Sequence, residues 1–194
     1  KAPLVDPFCG SGTVAIEAAL AARRMASGRL RSFAFESWPS FDAAAYQRLR
    51  AGADADVGRS KATIVASDRD AGAIAAAVAN AERAGVLDDI EFRTGPVSEV
   101  VLGARPGWVV TNPPYGERVG DGDLRNLYDR FARVLAAAPV GWRIGIVDGV
   151  PAEHRGPRWV ARLPIASTER LDTSNGGLPV GLVAGSVTPL QNGN

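Results

Sequence analysis

The chain predicts an α/β fold in which a mostly parallel sheet carries helices on both faces and ends in an antiparallel C-terminal hairpin. Three observations predict it. Short β-branched or apolar runs alternate with helical segments over residues 2–147, the pattern of βα units around a parallel sheet. A glycine-rich turn, Gly10-Ser11-Gly12, joins the first run to the first helical segment. After Pro157 strand-like runs follow one another, two of them across Asn175-Gly176-Gly177, and Asn-Gly between such runs is a strong hairpin signal.

Taken in order, residues 2–6 read as a buried strand and 11–25 as the helix after it. Residues 27–60 form an insertion holding Phe33, Phe35, Trp38 and Phe41, with a helix over 42–53. Core packing is the expected use of these aromatics, a base-binding shelf the alternative. Residues 62–67 make a second strand, and 70–84 a helix with Ile74, Val78 and Ala81 at helical spacing and Gly85 as its stop. A short strand at 90–93, another at 107–111, a helix at 123–138 and a strand at 142–147 continue the alternation. The last runs, 159–163, 169–173 and 178–187, are read as strands. Residues 1–190 form one domain and 191–194 a frayed tail.

With 194 residues and 46% apolar composition the chain can close a substantial core. Lys plus Arg number 22 against 21 Asp plus Glu, so no global basic field attracts a polyanion. Any grip on nucleic acid must be local or supplied elsewhere; Arg23, Arg24, Arg29 and Arg31 are the densest basic cluster, suited to phosphates or simply a solvated helix end. One cysteine and one histidine argue against a disulfide framework or a Cys/His zinc site, so no metal is expected and a reducing cytoplasm is the expected location. No run approaches the ~18 apolar residues of a membrane span. A start directly on a central strand suggests a longer parent.

The turn Asp6-Pro7-Phe8-Cys9-Gly10-Ser11-Gly12-Thr13 fits G-x-G-x-x-A through Ala15. Alone that is a weak sign of nucleotide binding; after a strand and before a helix it gains weight, because glycines let the backbone approach a ligand and a helix N-terminus favours an anion. Asp6 would lie beneath a cofactor and accept from its ammonium. Asp68, at the tip of the second strand, would hydrogen-bond a ribose diol, as a dinucleotide or a S-adenosylmethionine site equally requires; Asp70 reads as an N-cap. Cys9 has no basic neighbour in sequence to activate it and reads as a buried filler.

Asn112-Pro113-Pro114-Tyr115 follows the apolar run 108–111 and is far more specific. Two prolines remove two donors and stiffen the turn, leaving acceptors facing outward. An aryl amine is a poor nucleophile until acceptors such as the Asn112 oxygen and the Pro113 carbonyl hold its N–H groups and aim its lone pair. Tyr115 would stack on the base. Glycine turn and Asn-Pro-Pro-Tyr together point to methyl transfer from S-adenosylmethionine to a nucleobase amine. No Tyr-Lys or His pair suited to hydride transfer is present.

Residues 6–19, Phe33-Ala34-Phe35-Glu36-Ser37-Trp38 with Phe41-Asp42, Ser67-Asp68-Arg69-Asp70 with 80–85, 111–118 and 174–178 resemble the methyltransferase domain of the THUMP-containing 23S ribosomal RNA guanine-N2 methyltransferases. The resemblance spans nearly the whole chain. It implies the class I S-adenosylmethionine-dependent, Rossmann-like fold with seven strands, the last antiparallel, and methylation of a guanine amine in ribosomal RNA. It further implies Asp6, Gly10 and Gly12 at the methionine end of the cofactor and Asp68 at its ribose, with Pro7, Cys9, Ser11, Arg69, Pro96, Val97 and Asn112 also among the cofactor-binding residues. Asn112 to Tyr115 would stand at the target amine, and an RNA-binding part upstream. Where the family has an acidic residue after the third strand, to hold the adenine amine, this chain puts Pro96 beside Val97. An adenine-N6 enzyme, which shares Asn-Pro-Pro-Tyr, and a binding module without turnover are the alternative readings.

Overall fold

The computed structural model describes residues 2–114, 121–148, 159–175 and 178–188. The strands are β1 (Leu4–Asp6), β2 (Ile64–Asp68), β3 (Ile90–Thr94), β4 (Trp108–Thr111), β5 (Arg143–Asp148), β6 (Ile165–Asn175) and β7 (Leu178–Val187). They form one seven-stranded sheet in the order β3-β2-β1-β4-β5-β7-β6. The first five run parallel, whereas β7 lies antiparallel to both β5 and β6. The expected edge hairpin is therefore present, with Asn175 opposite Leu178. Buried Asp148 ties it to β5 by accepting from Arg170 Nη1 at 2.8 Å. That carboxylate also raises the Arg170 pKa.

The α-helices among the described residues are α1 (Thr13–Arg23), α2 (Ala43–Ala55), α3 (Ala71–Ala84) and α4 (Asp121–Ala136). Two apolar clusters bury the sheet. On the α1 and α3 side the contacts are small: Ala15, Ala19, Ala81 and Ile74 close on Ile64 and Ala66. Methyl-sized side chains let two helices lie close to the strands. On the α4 side the fillers are large, with Leu124, Tyr128, Phe131 and Leu135 at helical spacing against Trp142 and Ile144. Fully buried Phe131 belongs to the class whose truncation to Ala costs about 3–5 kcal/mol. Caps set the helix limits where the sequence indicates them: Asp70 Oδ1 accepts from Gly72 N–H at 2.7 Å, and Gly85 ends α3 in the left-handed region at φ 72°.

Two expectations need correction. Residues 159–163 are not a strand: Trp159–Arg162 is a 3-10 turn, because Val160 and Leu163, three positions apart, both enter the α4 cluster, a spacing that suits a helical turn and not a pleat. Nor do the insertion aromatics join either core cluster. Phe33 stacks on Phe35 at 5.3 Å, Tyr46 of α2 meets Phe35 edge-on at 5.4 Å, and Trp38 stays 62% exposed. Helix α2 buries none of its residues. The arm is held instead by the basic cluster: Arg23 Nε donates to the Gly58 carbonyl at 3.3 Å, Arg23 Nη1 to Gly85 at 2.8 Å, and Arg24 Nε to Asp56 at 2.9 Å. Arg29 lies 3.5 Å from Asp54 and Arg31 sits over the Phe33 ring. The tail at 191–194 falls outside the described residues.

Candidate active site

Asp6 and Asp68 end neighbouring parallel strands, so both reach the carboxyl edge of the sheet, where ligands bind in open α/β folds. Between them runs the turn to α1. Cys9 N–H donates to the Ser67 carbonyl at 3.0 Å and Gly12 N–H to the Cys9 carbonyl at 2.8 Å. Gly10, at φ 51°, donates its N–H to Asp68 Oδ2 at 3.0 Å, and Asp70 N–H donates to Asp68 Oδ1 at 3.0 Å. Gly12, at φ 89°, allows no side chain: a Cβ there would stand 3.0 Å from the Ala77 methyl and 3.3 Å from its Cα. Asn80 Nδ2 donates to the Ser11 carbonyl at 2.8 Å, fixing the turn from α3.

Asp6 is 1% exposed. Its Oδ1 accepts from the Thr111 hydroxyl at 2.6 Å and the Phe8 N–H at 3.3 Å. Burial pushes its pKa from 3.8 up to about 6; the Thr111 and Phe8 hydrogen bonds oppose that rise and the nearby Asp68 charge adds to it. Burial also drives the Cys9 thiol up to about 12, helped by the Asp6 and Asp68 charges, which leaves it a neutral filler and no nucleophile.

Thr111 hands directly to Asn112-Pro113-Pro114. Pro113 is fully buried and anchors the turn, while Asn112 is exposed at the cleft. The cleft itself measures about 680 Å³ and brings both turns together. Of the residues singled out from sequence, Pro7, Gly10, Asp68, Arg69, Asp70, Pro96, Val97, Asn112 and Pro114 line it; Asp6, Cys9, Gly12 and Pro113 are buried and do not, and Ser11 is exposed outside it. Tyr115 lies outside the described residues, as do 116–118.

Sequence reasoning misses Phe8, Ala73, Asn126, Leu127 and Arg130 as wall residues. Phe8 meets Phe131 edge-on at 5.3 Å, which seats α4 against the glycine turn. Asn126 and Arg130 are four apart and so share a helix face; projecting the polar side of α4 would find them. Ser67 is missed too. Its hydroxyl is buried without a hydrogen-bond partner among the described residues and lines a side cavity of about 110 Å³ that shares Pro96 with the cleft. An unmet hydroxyl next to the cleft suits the polar edge of a ligand. Among the described residues no group of three His, Cys, Asp or Glu could hold a metal, and no helix is long and apolar enough to cross a membrane.

A cleft of this size is ample for a nucleoside-bearing cofactor, and its wall offers a carboxylate on the strand next to the glycine turn. Known proteins agree. Residues 1–149 match the UPF0020 family, described as the RMKL-like methyltransferase domain. Proteins named ribosomal RNA large subunit methyltransferase K/L are 41% identical in Shewanella baltica (strain OS185), over 74% of this chain, and 40% in Legionella pneumophila (strain Corby), over 76%. The chain spans 21% of the length of those two relatives. Among solved structures, SMU.472 complexed with SAH superposes with a TM-score of 0.83 at 29% identity, covering 98% of this chain and 49% of that one. A possible methylase from Clostridium difficile 630 gives 0.81 at 31%, covering 98% and 50%. A predicted N6-adenine-specific DNA methylase from Listeria monocytogenes str. 4b F2365 gives 0.75 at 28%, covering 94% and 46%. S-adenosylmethionine is the cofactor, and the chain belongs to the RMKL-like methyltransferase domain family, on the class I S-adenosylmethionine-dependent fold.

Proposed function

We propose that this domain transfers a methyl group to the exocyclic N2 amine of guanine in large-subunit ribosomal RNA. One observation carries the reading: a single cleft joins the glycine turn and Asp68 to Asn112 and Pro114. The names of the curated relatives support ribosomal RNA as the substrate. When bound, S-adenosylmethionine supplies a methyl group on a positively charged sulfur. Asp68 would hold its ribose, Gly10 would line its methionine end, and buried Asp6, behind the turn, would favour its cationic end. Ser67 is the polar group at the Pro96 side.

The acceptor half falls to Asn112. Its carboxamide oxygen and the Pro113 carbonyl accept the two N–H groups of the aryl amine, free the lone pair and stabilise the positive charge that develops on nitrogen. Pro113 and Pro114 bring no N–H that could compete for those acceptors. Cys9, kept neutral by burial, takes no part. An upstream RNA-binding part in the parent chain would supply the wider RNA contact that a net charge of +1 does not.

Isotope-labelled S-adenosylmethionine and unmodified large-subunit RNA, followed by nuclease digestion and mass spectrometry, test this. Labelled N2-methylguanosine is the expected product. Labelled N6-methyladenosine would favour the second reading, which the likeness to the Listeria monocytogenes protein supports. Intact S-adenosylhomocysteine binding with no product would favour a binding module.

A further inference from the structure

Arg130 stands at a junction. It lines the cleft with Asn112 and also a separate groove of about 560 Å³ between α4 and residues 98–102, which Arg133 lines further along the helix. Arg130 has no hydrogen bond or ion pair among the described residues. That is unlike Arg23, Arg29, Arg93, Arg162 and Arg170, each of which faces a carboxylate. The adjacent acid, Asp129, is already taken: Arg162 donates to its Oδ1 from Nε at 3.0 Å and from Nη2 at 2.7 Å. Arg133 uses only its Nε, on the Asp129 carbonyl at 3.2 Å, so its terminal amino groups remain for a ligand. No carboxylate lines the groove; the nearest acid of that segment, Glu99, lines the Ser67 cavity instead.

A guanidinium without a counter-ion binds a phosphodiester well, since its planar fork matches two oxygens. A base whose amine reaches Asn112 must bring its own phosphates to the cleft mouth, and the strand must then leave the cleft. We infer that Arg130 and Arg133 grip the phosphates of the RNA strand adjoining the target nucleotide and lead it into the groove along α4. Arg130 is thus a positioning residue for the acceptor. The inference rests on the RNA reading above. A carboxylate shares this anion chemistry, and the methionine carboxylate of the donor is the competing ligand for Arg130.

Binding of a fluorescent single-stranded RNA oligonucleotide to the full chain, measured across salt concentrations beside calorimetric titration with S-adenosylhomocysteine, separates these. R130Q and R133Q should each reduce the slope of log affinity against log salt by about 0.7, which is about 5-fold weaker RNA binding at 0.1 M salt, with S-adenosylhomocysteine affinity unchanged. V101E, a carboxylate placed in the groove at a position 77% exposed and so harmless to folding, should weaken RNA binding alone. R130K should restore much of the salt slope. Equal RNA affinity and slope in wild type, R130Q, R133Q and V101E would overturn the inference and leave methyl transfer to RNA standing. R130Q that loses S-adenosylhomocysteine and keeps RNA would hand the guanidinium to the donor and overturn it as well. A wild-type chain that binds S-adenosylhomocysteine but no RNA at low salt would overturn this inference, since the two guanidiniums would then grip no strand, and would leave the RNA reading to the upstream part of the parent chain.

Discussion

The two turns at the carboxyl edge of the sheet are built on opposite principles. The turn after β1 is fixed almost wholly through the main chain: Gly10 N–H on Asp68, Cys9 N–H on Ser67, the Ser11 carbonyl on Asn80, and Gly12 pressed against Ala77. The turn after β4 has two prolines and few main-chain donors to offer, so its rigidity comes from buried Pro113, and the proposed chemistry falls to one exposed side chain, Asn112. A surface that recognises a constant cofactor is best made of backbone, which few substitutions can alter. A site that activates a nucleophile needs one well-aimed acceptor. The Thr111 hydroxyl bonded to Asp6 joins the two halves through the protein interior.

Asn112→Ala separates the turns most sharply. Turnover should fall about 10²- to 10³-fold while calorimetric affinity for S-adenosylhomocysteine stays at the wild-type level; loss of that affinity would place Asn112 with the donor. Gly12→Val attacks the other turn. The left-handed backbone and the contact with Ala77 should together cost about 3 kcal/mol of stability, read as a lowered denaturation midpoint, and donor binding should go with it. Asp68→Ala removes an ionised acceptor of two main-chain N–H groups, so donor affinity should weaken about 10- to 100-fold, and an unaltered titration would discard its ribose role.

Asp6→Asn probes the link, and its effect is read in the pH dependence of stability. Because the Asp6 pKa is raised from 3.8 to about 6, the native state binds a proton between those values that the unfolded chain does not. Stability therefore rises as pH falls through 6, the gain is complete below 3.8, and the ionised form above 6 costs on the order of 3 kcal/mol. The D6N variant should flatten that part of the stability profile in denaturant titrations at pH 4, 6 and 8 and should be no less stable than wild type at pH 8. A slope that persists in the variant would assign the titration to another group.

Local chemistry made much of this legible. The glycine turn, the Asp70 cap, the Gly85 stop and the Asn-Pro-Pro run each carry their meaning within a few residues, and the alternation of strands and helices led to the parallel sheet with its antiparallel edge. What depends on distant partners was hidden. An apolar run at 159–163 looks the same whether it pleats or coils, and only contact with α4 decides it. Arg23 reads as a solvated helix end because its acceptors are 35 and 62 residues away. The wall residues Asn126 and Arg130 were obscured by the apolar stripe next to them on α4, which accounts for the helix without them.

The arm that α2 caps has a practical meaning of its own. None of its thirteen residues is fully buried, and Leu49 is 72% exposed, so fraying this helix gives up the Tyr46 contacts with Phe35 and Phe41 and takes nothing from either core cluster. Its amides should take up deuterium long before those of α3, which carries Ile74, Ala77 and Ala81 in the core. For the same reason α2 is the place to graft a fluorophore or an affinity handle, leaving the cleft to report undisturbed.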